Sequence, residues 1–313
     1  MFNLVPAHGP LPPEPSLAAV VYWYSPPILT LLIVAGLGLW FAAVRRVRLK
    51  HPHNPVPRSR SLAAVGAGAL MLIALQSVIE RYDSTLFSMH MIQHLILLFP
   101  VPILILRAAP VTLILRLSTP NVRSRVLALL HSRAVSIISH PVTAWLLLAF
   151  VMWATHLSPL FNAALENPLL HNLEHALYLT SALLFWAPVF ALDPVRHRLA
   201  RPAALFYLIT QMPQNSFLGV AIMWAPSALY QHYESLQRTW GPSPLEDQQL
   251  AGAIMWLVGD ALFLAAVFAV LATWMRAEEQ PASRYDTEQL AQELAEIRRR
   301  EALLAERRKG EES

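Results

Sequence analysis

Seven apolar stretches recur along this chain, and the short polar segments between them leave few folds that could hold all seven. A helix needs ~20 mostly apolar residues to cross the hydrocarbon core of a bilayer, because each residue rises only ~1.5 Å. The first stretch runs from about Pro26 to Val44, behind the interface-suited aromatics Tyr22, Trp23 and Tyr24. The second covers about Leu62 to Ile79, the third Leu86 to Leu106, and the fourth Val142 to His156. The fifth covers about Leu170 to Leu192, the sixth Ala203 to Trp224, and the seventh Gln249 to Met275. Only 14% of residues are charged and 55% are hydrophobic, against about 25% charged in soluble domains. The expected fold is therefore all-α: a polytopic membrane protein of seven transmembrane helices.

The basic residues set an expected orientation. Of the 24 Lys and Arg residues, all but Arg81 and Arg238 fall in the connections after spans one, three and five or in the C-terminal tail. Cytoplasmic loops carry the excess of Lys and Arg, which places the N-terminus outside and the C-terminus in the cytoplasm. An odd number of spans is required, in keeping with seven. Residues 1–25 then form an extracytoplasmic segment, 26–276 the seven-helix domain and 277–313 a charged cytoplasmic helical tail. The N-terminal segment lacks a basic start and holds Pro10, Pro12, Pro13 and Pro15, so it does not read as a signal peptide. From about Asp286 to Lys309 the tail mixes Leu and Ile with Glu and Arg at i,i+4 spacing, the pattern of a solvated or docking helix.

The chain has no cysteine, so disulfides, thiolate sites and iron–sulfur clusters are excluded. A net charge of +4 is too small to point to nucleic acid. No nucleophile–base pattern or phosphate loop marks an enzyme, and none is expected.

Histidine placement is more informative. Of twelve histidines, five lie within spans or at their ends, all toward the outside: His90, His94, His156, His171 and His175. His90 and His94 share one helix face, and so do His171 and His175, because four residues make about one turn. Polar side chains in a bilayer face the bundle interior, and neutral imidazole is a common metal ligand. Imidazole with nearby thioethers (Met89, Met91, Met152, Met223) and no thiolate suits copper, particularly Cu(I). Asp247 stands at the outer entrance of span seven, as a further ligand or as a helix cap. The candidate ligands are thus His90, His94, His156, His171, His175 and Asp247.

Alternatives stay open at this point. Membrane histidines also serve as interhelical hydrogen-bond partners, and His94 with His175 could hold a haem in an oxidoreductase. A copper transporter would use Asp260, Gln211, Gln214 and Asn215 as an inward polar path. Asp260 has a hydrogen bond to span six as its simpler role, and Glu174 could orient an imidazole. Pro100 and Pro102 should bend span three, and Pro213 span six.

Taken as a set, three motifs resemble the CtaG family of polytopic bacterial cytochrome c oxidase assembly factors. They are Met89-His90-Met91-Ile92-Gln93-His94-Leu95 before Pro100; His171-Asn172-Leu173-Glu174-His175 with Phe185-Trp186 and Pro188; and Asp247-Gln248-Gln249-Leu250-Ala251-Gly252 with Met255-Trp256. The resemblance covers spans one to seven. It implies copper supply to a cytochrome c oxidase subunit, a copper donor protein as a further partner, and residence in the bacterial plasma membrane.

Overall fold

Residues 11–16 and 27–278 are described by a computed structural model of the chain. Most of the expected N-terminal segment 1–25, and all of the tail beyond residue 278, lie outside the described residues. The chain divides into two units, 1–264 and 265–313, and the first holds everything that follows on the site.

Every described element is helical. Helix α1 (Pro27–Lys50) packs on α2 (Arg58–Gln76) and leaves much of its apolar surface exposed, as a lipid-facing helix does. Ser77 ends α2 and caps the short α3 (Val78–Tyr82) through its hydroxyl. Span three is broken into α4 (Phe87–Leu98), α5 (Pro100–Ala108) and α6 (Pro110–Leu117). The break at Phe99 falls before Pro100, as the sequence predicts, and the second falls at Ala109, whose φ of 60° is left-handed. Pro102 has no N–H for the Leu98 carbonyl four residues before it, and Trp186 Nε1 donates there instead at 2.7 Å.

The connection to span four holds α7 (Pro120–Leu130) and α8 (Arg133–Ile138). Span four is α9 (Pro141–His156), followed after a 70° bend by α10 (Leu160–Glu166). Helix α11 (Pro168–Phe190) starts at Asn167, whose Oδ1 accepts from the Leu169 and Leu170 amides. Helix α12 (Arg201–Met223) runs unbroken through Pro213. Short α13 (Gln231–Ser235) lies in the connection to α14 (Pro244–Ala253), which begins with a Ser243–Glu246 capping box. Beyond α14 the helix passes through a π-helical turn, Ile254–Val258, and continues to Glu278.

Helices thus stand at all seven expected positions, but they differ in fitness to span. Five are long and apolar enough to cross a membrane, and a sixth is reached if the bent pair α9–α10 counts as one span. By itself α9 has only 16 residues, about 24 Å of rise against a core of about 30 Å. Helix α12 has the length, but Gln211, Gln214 and Asn215 near its middle make it too polar to qualify by composition.

Candidate metal centre

Helix α4 sits centrally, packed against α2, α3, α11 and α14. The i,i+4 pairs of α4 and α11 face one another. Ring centroids are 4.1 Å apart for His90–His94 and 4.2 Å for His171–His175. Across the helices, His90 lies 5.4 Å from His171 and His94 lies 5.9 Å from His175. His156, the last residue of α9, comes within 6.2 Å of His94. All five expected histidines therefore converge, and none is more than 6% exposed.

Two acids join them. Asp83 Oδ2 is 3.5 Å from His171 Nε2, and Glu174 Oε2 is 3.9 Å from His90 Nε2. One donor atom each from Asp83, His90 and His171 lie within 4.8 Å of one another, as do donors from His90, His94 and Glu174. Glu174 is expected from its place between two histidines of α11, as an orienting acid, whereas Asp83 is absent from the expected ligands. Asp83 sits in the polar connection Glu80-Arg81-Tyr82-Asp83, which by composition belongs in water; its one signal was a position seven residues before His90, two turns back on the same face. Burial first, then the Glu80 carboxylate, push its carboxyl well above the ordinary range. A cation beside it would favour the ionised form.

One imidazole has its tautomer set by the backbone. His156 Nδ1 lies 2.8 Å from the Met152 carbonyl, which can only accept, so Nδ1 carries the hydrogen and Nε2 keeps the lone pair. That Nε2, both ring nitrogens of His90 and of His94, and both Glu174 oxygens are buried without a hydrogen-bond partner among the described residues. Leaving so many polar atoms unpaired costs roughly 1–3 kcal/mol each, a cost that a bound cation would remove. Neutral imidazoles and carboxylates at this spacing fit a transition-metal ion better than magnesium or calcium, which prefer oxygen.

An aromatic cover closes the cluster on the side of the helix ends. Phe161 packs against both His90 (4.9 Å) and His156 (5.5 Å) and meets Phe87 and Tyr230. Tyr230 donates to the His156 carbonyl at 3.1 Å, and Tyr233 to the Asp83 carbonyl at 2.7 Å. His232 Nε2 lies 2.8 Å from the Ser84 carbonyl. On the far side the Tyr178 ring lies tilted against His94, centroids 4.2 Å apart, and its hydroxyl hydrogen-bonds Thr155 and His156 Nδ1. No spacing in the sequence marks this cover, whose residues come from segments far apart in the chain.

Asp247 occupies a different place. Its carboxylate accepts from the Phe87 amide (2.6 Å), the Ser88 amide (3.4 Å) and the Ser88 hydroxyl (2.6 Å) at the start of α4. It caps the helix that carries His90 and His94, and none of the close donor groups contains it. Met152 enters through its carbonyl, and Met89 packs near Tyr82 and Leu86. Asp260 lies away in the π-turn region, where Asn215 (3.2 Å) and Ser216 (2.5 Å) donate to it.

The family model for the cytochrome c oxidase caa3 assembly factor (Caa3_CtaG) matches residues 38–277, most of the chain and all of this cluster. The chain belongs to that family. Uncharacterized proteins of Mycobacterium bovis and Mycobacterium tuberculosis are each 29% identical to it over 288 residues, covering 88% of this chain and 43% of theirs. One from Mycobacterium leprae is 28% identical over 285 residues, with the same coverage. The chain thus spans less than half the length of these relatives. No solved structure matches it.

Proposed function

We propose that this assembly factor binds one copper ion as Cu(I) in the histidine cluster and passes it to a cytochrome c oxidase subunit. The observation that carries the reading is the convergence of five buried imidazoles from three helices, in a chain of an oxidase assembly family. Copper is cargo here, and the chain acts without catalysis. With no thiolate available, imidazole is the softest nitrogen donor the chain offers, and Cu(I) accepts it readily.

The reading includes seven spans, with α9–α10 and α12 both in the bilayer of a bacterial plasma membrane. Helix α12 can sit there because its polar groups face protein: Gln211 and Asn215 are buried, and Gln214 accepts from Trp153 at 2.8 Å. With the basic connections in the cytoplasm, the N-terminus and the cluster lie toward the outside. A copper donor protein on that side would load the site.

The other readings draw less support. Haem between His94 and His175 needs a slot for the macrocycle, yet His90, His156 and Tyr178 crowd His94 at 4.1–6.2 Å. Transport needs a polar route beyond the cluster, and the oxygens of Asp260 are already taken by α12.

The test is a Cu(I) titration of purified protein against a chromophoric chelator. One equivalent per chain is expected, and none in the His90→Gln/His94→Gln double variant. Unchanged binding in that variant would overturn the site. Cells carrying only the variant should assemble an oxidase depleted of copper.

A further inference from the structure

The donors of the cluster fall into two sets that share one residue. Asp83, His90 and His171 form the set nearer the helix ends and the aromatic cover. His90, His94 and Glu174 form the other. His94 and Glu174 lie three to four residues further along α4 and α11 than His90 and His171, which is about 5 Å deeper by helical rise.

His90 cannot serve both sets at once. A neutral imidazole has one N–H and one lone pair, so it ligates a single ion. Two ions would require the ring to lose its second proton, and two cations about 5 Å apart in a buried site repel strongly. We propose that the cluster offers one ion two alternative seats, shallow and deep, and that His90 stays bound while the ion moves between them. This rests on the reading that the chain binds copper at these histidines.

The two seats differ in chemistry. Each seat brings one carboxylate and two imidazoles: Asp83 with His90 and His171 in the shallow seat, Glu174 with His90 and His94 in the deep one. What sets the deep seat apart is one further imidazole: the unpartnered His156 Nε2 belongs to a ring 6.2 Å from His94, whereas the His175 ring stands by both seats, 4.2 Å from His171 and 5.9 Å from His94. Soft Cu(I) favours imidazole over carboxylate, so the deep seat, where His156 can take the place of Glu174, holds it and the shallow seat exchanges it. The move swaps ligands one at a time around a fixed nitrogen, and the ion is never stripped bare. Two residues of the cover are tied to the connection that carries the shallow seat's Asp83: Tyr233 and His232 bind the Asp83 and Ser84 carbonyls. Displacing that connection would open the exchange seat and leave the deep one closed.

The experiment compares Asp83→Asn and His94→Gln with wild type in detergent, using Cu(I) delivered from and returned to a chromophoric chelator. Wild type should take one equivalent. Asp83→Asn should also take one, with affinity little changed but loading and release slowed about tenfold; His94→Gln should load at the normal rate and bind about tenfold more weakly. X-ray absorption should show fewer imidazoles around the ion in His94→Gln and an unaltered shell in Asp83→Asn. His171→Gln serves as a second shallow-seat variant should Asp83→Asn fail to fold. Two equivalents in wild type, or equal loss of affinity in both variants, would overturn the two-seat arrangement and leave copper binding standing. No copper in wild type would overturn both.

Discussion

Asp247 and Ser88 are joined twice: one carboxylate oxygen of the acid accepts from the serine hydroxyl at 2.6 Å and from its amide at 3.4 Å. The second oxygen takes the Phe87 amide. Helix α14 therefore fixes the first turn of α4, and through it the height of His90 and His94. Negative charge at a helix N-terminus is stabilising, and unsatisfied N–H groups there need an acceptor.

Asp247→Asn keeps one acceptor oxygen and loses the charge. It should lower stability by about 0.5–2 kcal/mol, the range for a lost cap, measured by denaturation in detergent. The number of imidazoles around bound Cu(I), read by X-ray absorption, should stay the same. A lost oxygen ligand in the variant would instead make Asp247 part of the metal shell.

Trp186→Phe removes the donor that satisfies the Leu98 carbonyl beside the Pro100 break. The cost should be roughly 1–3 kcal/mol, because the carbonyl is left buried and unpaired. The fall in melting temperature can be followed by far-UV circular dichroism. Cu(I) stoichiometry should not change, since the indole lies about three turns along α11 from His175.

Much of this was legible because apolar length and helical period are local properties. The helices follow from runs of apolar residues, the shared faces of His90 with His94 and His171 with His175 from a spacing of four, and the break from Pro100. What local pattern could not carry was contact between distant segments. Asp83 reads as a solvated loop acid until Tyr233, 150 residues later, closes over its carbonyl. Asp247 reads as a cap for its own helix, but Ser243 and Glu246 already fill that place and leave it for α4. Helix α12 looks marginal by hydropathy because its polar residues answer groups on α9 and beside α14: Gln214 accepts from the Trp153 indole, and Asn215 donates to the Met255 carbonyl of the π-turn.

His232 gives a pH dependence with a definite sign. It lies outside the candidate spans, and burial lowers its pKa from an ordinary 6.5, with the Ser84 carbonyl and Glu166 opposing. The unfolded chain therefore takes up the proton first. Stability is full above the unfolded value and falls as pH drops through it toward the folded value. His232→Gln lacks this contribution, so between pH 7.5 and 5.5 its melting temperature should fall less than that of wild type. Parallel decline in the two proteins would remove His232 as a source of acid sensitivity.

The crossing of α12 and α14 is set by two glycines, and it supports the helix that caps α4. A methyl group on Gly252 would lie 2.6 Å from the Met223 amide nitrogen and 2.7 Å from the Gly219 carbonyl oxygen. Both are backbone atoms, so no side chain can swing aside and the helices must separate. Small residues allow such close approach between membrane helices, where packing and not water drives association. Gly252→Ala should therefore destabilise by about 1–3 kcal/mol, as overpacking does. It should also weaken Cu(I) binding by displacing Asp247 from the start of α4. Gly36→Ala is the matching control, because nothing lies within 4 Å of the added carbon; stability and binding should be unchanged there. Equal behaviour of the two variants in thermal denaturation would show that the Gly219–Gly252 crossing does not set the position of α4.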